Sequence, residues 1–202
     1  MDNAKPIKAV NHKGVVLMVL GLLLILAAGG LLWYNHMEDA RAGEESALAL
    51  TRVEAATSQT MLKGLSNIMP VVEIDGRDYI GRLQIDAIGL DLPILVDWDE
   101  EGAKVAPCRF SGSAYDDTMV ICGHNMRAHF SPIKNLERGT EIRFIDVNGN
   151  VFTYELTDTI LLQPEQVEDM VLGDDWDLTL FTCNYGGNAR VTLRCVRTSE
   201  DI

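Results

Sequence analysis

The chain has no cluster of basic residues beyond a few lysines near its start, no low-complexity tract, no internal repeat and no regular alternation of strand and helix patterns. Its 17 Lys and Arg stand against 30 Asp and Glu, a formal net charge of −13. Such a balance lacks the basic patches that hold a phosphate backbone or an anionic lipid surface, which excludes nucleic acid as a partner. The missing strand–helix rhythm argues against a doubly wound parallel sheet. No Cys-x-x-Cys or His-x-x-x-His pair is present to anchor a tetrahedral zinc site, although Cys122 and His124 lie close together. The loop carboxylates Asp116, Asp117, Glu165, Glu168 and Asp169 have no EF-hand spacing and read as solvated. No metal and no other cofactor is expected.

Charge is also missing from Gly14 to Asn35, and here the absence is informative. Val15 to Tyr34 is dominated by Leu, Val, Ile, Ala and Gly, and about 20 such residues in a helix span the roughly 30 Å of a bilayer's hydrocarbon core. Trp33 and Tyr34 close the run where interfacial aromatics belong. Lys5, Lys8 and Lys13 precede it, whereas Glu38, Asp39, Glu44 and Glu45 follow with Arg41, so the N-terminus is expected in the cytoplasm and the rest outside the cell membrane. A cleaved signal peptide is the alternative, with Ala27-Ala28-Gly29 as a poor cleavage site, but Leu31 and Leu32 prolong the apolar run and favour a retained single-pass anchor. The expected organisation is a cytoplasmic N-terminus at 1–14, a transmembrane anchor at 15–34, a juxtamembrane helical stalk at 35–70 and a folded domain at 71–202. The stalk is predicted from its Ala, Glu, Leu and Met content, interrupted by Gly43 and Gly64 and too irregular for a coiled-coil seam.

After Pro70 the chemistry changes to that of strands. Tyr79 to Ile85 alternates apolar and polar residues, and Leu90 to Val96 resumes after Gly89, predicting two antiparallel strands. Asp97 to Lys104 reads as an acidic connection carrying Trp98, and Thr118 to Cys122 as a short interior strand. The Ser131-Pro132 pair suits the first positions of a short helix. Asn148-Gly149 between Glu141–Asp146 and Val151–Leu156 is the strongest hairpin signal in the chain. A short helix is expected within 163–173, then a strand from Leu178 ending on Cys183, the Gly186-Gly187 turn, and a last strand from Arg190 to Val196. About eight strands with only short helices make the domain predominantly all-β, a closed β-barrel.

Cys108, Cys122, Cys183 and Cys195 are an even set, which in a small extracellular domain suggests disulfides. This domain has enough apolar sequence to fold without them, so Cys108, Cys122 and Cys195 are expected as buried free thiols, one disulfide being the lesser alternative. Cys183 ends an apolar strand, and His124 follows another in the turn Gly123-His124-Asn125. A cysteine of pKa about 8.5 beside a histidine of about 6.5 is mostly uncharged at neutral pH and needs a base or a fixed cation to act as a nucleophile. His124 supplies a movable proton, and Arg190 a permanent charge with directed N–H donors for a developing oxyanion. Arg194 shares the face of Arg190 and competes for that role, but Arg190 follows the turn directly, at the Cys183 end of the sheet. His129, in the Met126-Arg127-Ala128 continuation, reads as a solvated loop residue, and His12 and His36 belong to the membrane end.

The run Thr179-Leu180-Phe181-Thr182-Cys183, the Gly123-His124-Asn125 turn and Arg190 on the following strand together resemble the Cys-His-Arg signature of sortases, a likeness covering roughly residues 76–198. The resemblance implies an eight-stranded sortase-type β-barrel with short helices behind an N-terminal transmembrane helix, on a Gram-positive cell surface. It also implies a cysteine transpeptidase that cleaves an LPxTG-like sorting signal through a thioacyl intermediate. Cys183 is then the nucleophile, His124 the acid and base, Arg190 the substrate and oxyanion clamp, and Thr182 a lining residue of the peptide groove. Partners implied are exported proteins carrying a C-terminal sorting signal and an amine acceptor such as the lipid II peptide. A membrane-tethered peptidase that passes the acyl group to water, and a pilin-polymerising sortase, are the alternatives.

Overall fold

The computed structural model describes residues 12–59, 69–171, 173 and 175–201. Lys5 and Lys8, stalk residues 60–68 with Gly64, and Asp174 lie outside the described residues. The chain divides into two compact units, Met1–Glu38 and Asp39–Ile202. In the first, helix α1 (His12–Gln59) begins, and its apolar stretch is long and uncharged enough to cross a membrane. Leu17, Leu24, Leu32 and Trp33 are all exposed on it.

In the second unit α1 continues and buries Ala42, Ala49 and Val53. Among the described residues, nine strands follow: β1 (Val72–Ile74), β2 (Arg77–Ile85), β3 (Leu90–Leu95), β4 (Cys108–Ser111), β5 (Met119–Cys122), β6 (Glu141–Asp146), β7 (Val151–Leu162), β8 (Leu178–Cys183) and β9 (Arg190–Asp201). Their order is β1-β2-β3-β4-β5-β8-β9-β7-β6, and β6 pairs back onto β2. Eight strands thus close into the barrel expected from the sequence, with β1 an extra edge strand. The closure depends on Gly81: at φ 153° it lies where side chains are strained, and an added Cβ would sit 2.1 Å from the Ile145 carbonyl oxygen of β6.

Most pairings are antiparallel, but β4 runs parallel to β3, and β8 parallel to β5. The antiparallel β2–β3 pair, the hairpin at Asn148-Gly149 and the free thiols of Cys108, Cys122 and Cys195 are all observed. Three details differ from the sequence reading: β4 is a separate strand, β7 runs past Leu156 to Leu162, and β9 runs past Val196 to Asp201. The short helix expected at the Ser-Pro pair is a 3-10 helix over Ser131–Asn135. The short helix of the β7–β8 connection is α2 (Glu168–Val171).

Two apolar clusters result from the alternation of the strands. Ile80, Leu83, Ile121, Phe144, Phe152, Leu178, Leu180 and Leu193 fill the barrel. The opposite faces of β5 and β8 put Cys122 and Phe181 in a second layer with Val53, Ala103 and Met170. Each large side chain so buried contributes about 1.5–3 kcal/mol. The β6–β7 hairpin is fixed by Asp146, fully buried yet accepting from Tyr115 Oη (2.5 Å), Asn150 Nδ2 (2.8 Å) and the backbone N–H groups of Asn148 (2.8 Å) and Asn150 (2.9 Å). Four donors on one carboxylate offset its desolvation.

Candidate active site

β8 is a central strand: β5 pairs with it as far as Phe181, and β9 continues the pairing to Cys183, its last residue. Leu178 and Leu180 point into the barrel, while Thr179, Phe181 and Cys183 face the outer layer. Cys183 is half-buried at the C-terminal end. Its direct cross-strand partner on β9 is Arg190, which brings thiol and guanidinium to the same face. The connection is short enough to do this because it closes on itself. Asn184 N–H donates to Ala189 O (2.9 Å), Gly187 N–H to Asn184 O (3.1 Å), and the Asn184 side-chain amide to Asn188 Oδ1 (2.8 Å). Arg190 Nη1 donates to the Gly187 carbonyl at 3.2 Å, which parks the guanidinium over the turn.

His124 arrives from β5, the other neighbour. Gly123 N–H donates to Phe181 O (3.2 Å), and Thr182 Oγ1 donates to Gly123 O (2.8 Å), so both polar groups of Gly123 are tied to β8 immediately before Cys183. Only glycine fits there, because a Cβ would lie 2.7 Å from the ring of the fully buried Phe130. The far side of the turn is held by Phe130 N–H to His124 O (3.1 Å) and by Lys134 Nζ to Asn125 Oδ1 (2.5 Å). Burial lowers the His124 pKa from its ordinary value, and the Lys104 cation lowers it further. A neutral imidazole is the form able to take a proton from a thiol.

Cys183, His124, Arg190 and Thr182 line one groove of about 330 Å³. Its walls are apolar, from Trp98, Phe110, Phe181, Val167 and Met170. Of these only Trp98 stands out in the sequence; the others alternate or cluster as core residues do, with no local signal that they face a groove. Thr182 is 1% exposed and spends its hydroxyl on Gly123. Arg194, paired with Thr179 deeper in β9, is not among the lining residues.

His129 is not a solvated loop residue: it is fully buried. The loop folds inward, with His129 and Ser131 N–H both donating to Met126 O (3.1 and 2.9 Å), and the ring Nε2–H donates to Val105 O at 3.2 Å. Burial pushes its pKa down to about 4. The other thiols are unsuited to chemistry, since burial pushes Cys108 and Cys122 up to about 12 and Cys195 upward as well. Among the described residues no three His, Cys, Asp or Glu side chains converge as a metal site would require.

The model of the Sortase domain matches residues 83–199. "Sortase A" of Bacillus anthracis is 23% identical over 187 residues, which cover 85% of this chain and 89% of that protein. Among solved structures, Sortase C-3 from Streptococcus pneumoniae superposes with a TM-score of 0.57 at 18% identity, over 80% of this chain and 85% of that one. Clostridium perfringens sortase C, solved with a C-terminal cell wall sorting motif, gives 0.54 at 21% identity, over 74% and 88%. These structures share the closed barrel, and the domain match takes in more than half of the sequence, with β8 and the start of β9 inside it: the chain belongs to the sortase family.

Proposed function

We propose that this sortase is a membrane-held cysteine transpeptidase with Cys183 as nucleophile, His124 as acid and base, and Arg190 as oxyanion clamp. The observation that carries the reading is the convergence of three strands: Cys183 and Arg190 are cross-strand partners, and the His124 turn is bonded to β8 one residue before the cysteine. His124 takes the thiol proton, and the sulfur attacks the threonine carbonyl of an LPxTG-like sorting signal. A C–S bond forms, the negative charge moves to oxygen, and the Arg190 N–H groups receive it after leaving the Gly187 carbonyl. The C–N bond breaks as the imidazolium returns its proton to the departing amine. An acceptor amine then attacks the thioester, His124 takes that amine's proton, and the thiolate is released.

The apolar walls of the groove favour a peptide with apolar side chains, and the Clostridium perfringens relative was solved with a C-terminal cell wall sorting motif, which supports a sorting-signal peptide as the ligand class. Thr182 supports the groove from beneath by holding Gly123. The apolar helix supports an anchor at 15–34, and Lys5, Lys8 and Lys13 before it support residues 1–14 in the cytoplasm, with the segment 35–70 leading to a catalytic domain at 71–202 outside. Incubating the full chain in detergent with a fluorogenic LPxTG-like peptide, with and without an amine, tests the reading. Amine-dependent ligation that disappears in Cys183→Ala supports it. Cleavage indifferent to amine identifies a peptidase, and turnover retained by Cys183→Ala removes the nucleophile assignment.

A further inference from the structure

Arg194 lies on the same face of β9 as Arg190, four residue pairs deeper along the ladder with β8. Its guanidinium carbon sits 3.7 Å from the centre of the Trp176 ring, and its Nη2 donates to the Asp169 carbonyl oxygen at 3.1 Å. Trp176 Nε1 in turn donates at 2.9 Å to the hydroxyl of Thr179, the cross-strand partner of Arg194. Thr179 is 1% exposed. Trp176 also packs against Gly173, where a Cβ would fall 2.2 Å from the indole. One arginine therefore joins two parts of the β7–β8 connection: Asp169 within α2 and Trp176 on the return to β8. Val167 and Met170, from the same connection, form part of the groove wall above Cys183.

We propose that Arg194 is a specificity-determining positioning residue: it holds the β7–β8 connection so that Val167 and Met170 present a preformed apolar wall to a side chain of the peptide substrate. The proposal rests on the transpeptidase reading for its substrate, but the strut itself does not. A wall fixed before binding spares the peptide the cost of ordering it, so the contribution falls on substrate binding rather than on the chemical step. Arg190 remains the group at the reacting atoms, and the two arginines divide one strand face between chemistry and substrate selection.

The test uses the full chain in detergent, as wild type, Arg194→Met and Arg194→Lys. Met keeps the length of the side chain without charge or donors, and Lys restores a cation over the ring. In Arg194→Met, amide hydrogen exchange over residues 163–171 should rise several-fold, and KM for the fluorogenic sorting peptide should rise about tenfold, the factor that one hydrogen bond and one cation–π contact supply. The kcat should stay within about twofold, and Arg194→Lys should recover part of both effects. Alkylation of Cys183 by iodoacetamide at the wild-type rate establishes that the catalytic end is intact. Unchanged exchange overturns the strut, and raised exchange with unchanged KM, or a loss confined to kcat, overturns its role in selection. A wild-type chain that turns over no peptide counts against the transpeptidase reading, and the exchange arm still decides the strut.

Discussion

Replacing Thr182 by Val removes one oxygen and leaves the β-branched shape that the end of β8 requires. The hydroxyl donates to Gly123 O at 2.8 Å from a position that is 1% exposed, so water does not replace it. Leaving that carbonyl unsatisfied costs about 1–3 kcal/mol. Gly123 N–H keeps its bond to Phe181 O, so the turn is loosened rather than released. If the whole cost appears as misplacement of His124, the rate falls by about 5- to 150-fold. If it appears instead as lost stability, the melting midpoint falls by about 2–4 °C per kcal/mol in a domain of this size. Because His124 moves protons and does not hold the peptide in the ground state, the loss should lie in kcat with KM nearly unchanged. Initial rates on the fluorogenic peptide, with a thermal melt of the same preparation, separate the two shares, and Thr182→Ser should restore both. Wild-type kcat and melting midpoint in Thr182→Val would refute the coupling of β8 to the histidine turn, and a change confined to KM would return Thr182 to a lining role alone.

Two further outcomes follow from the site. Arg190→Lys keeps the charge but loses the planar fork, and kcat should drop about 10²- to 10³-fold with the melting midpoint unchanged, as read by parallel kinetics and thermal melts. For His129, whose pKa is pushed down to about 4 by burial, the unfolded chain binds more protons between pH 6.5 and 4. Stability is therefore complete above about pH 6.5 and is lost as pH falls through that window, on the order of 3 kcal/mol in all. His129→Gln, which keeps a donor toward Val105 O, should remove most of that loss when urea unfolding is compared at pH 7 and pH 4.

Much of the barrel is legible in the sequence because its signals are local. Asn148-Gly149 marks a hairpin through backbone chemistry that few other residues tolerate, and β5 and β8 announce themselves as short apolar runs because both of their faces are covered. β4 is hidden because four residues between Pro107 and Gly112, paired with β3 at Leu95 and Cys108, are too few to show a period. In the sequence β7 reads as ending at Leu156 because a bulge between Leu156 and Asp158 shifts the alternation, although pairing with β9 continues to Leu162. His129 reads as exposed from its place in the loop continuation Met126-Arg127-Ala128, yet the inward fold of that loop is set by backbone bonds to Met126 and His124 that leave no trace in composition. The same holds for the groove. Cys183, His124 and Arg190 carry recognisable chemistry, whereas Phe110, Val167 and Met170 become groove residues only when distant segments meet.

The most direct test of the central claim is intact-protein mass spectrometry of the chain mixed with an LPxTG-like peptide and quenched in acid before an amine is added. The account predicts an added mass equal to the peptide's N-terminal fragment through threonine, located on Cys183, released by hydroxylamine and absent from Cys183→Ala. Turnover of the peptide with no adduct on Cys183, or an adduct that persists in Cys183→Ala, would contradict it.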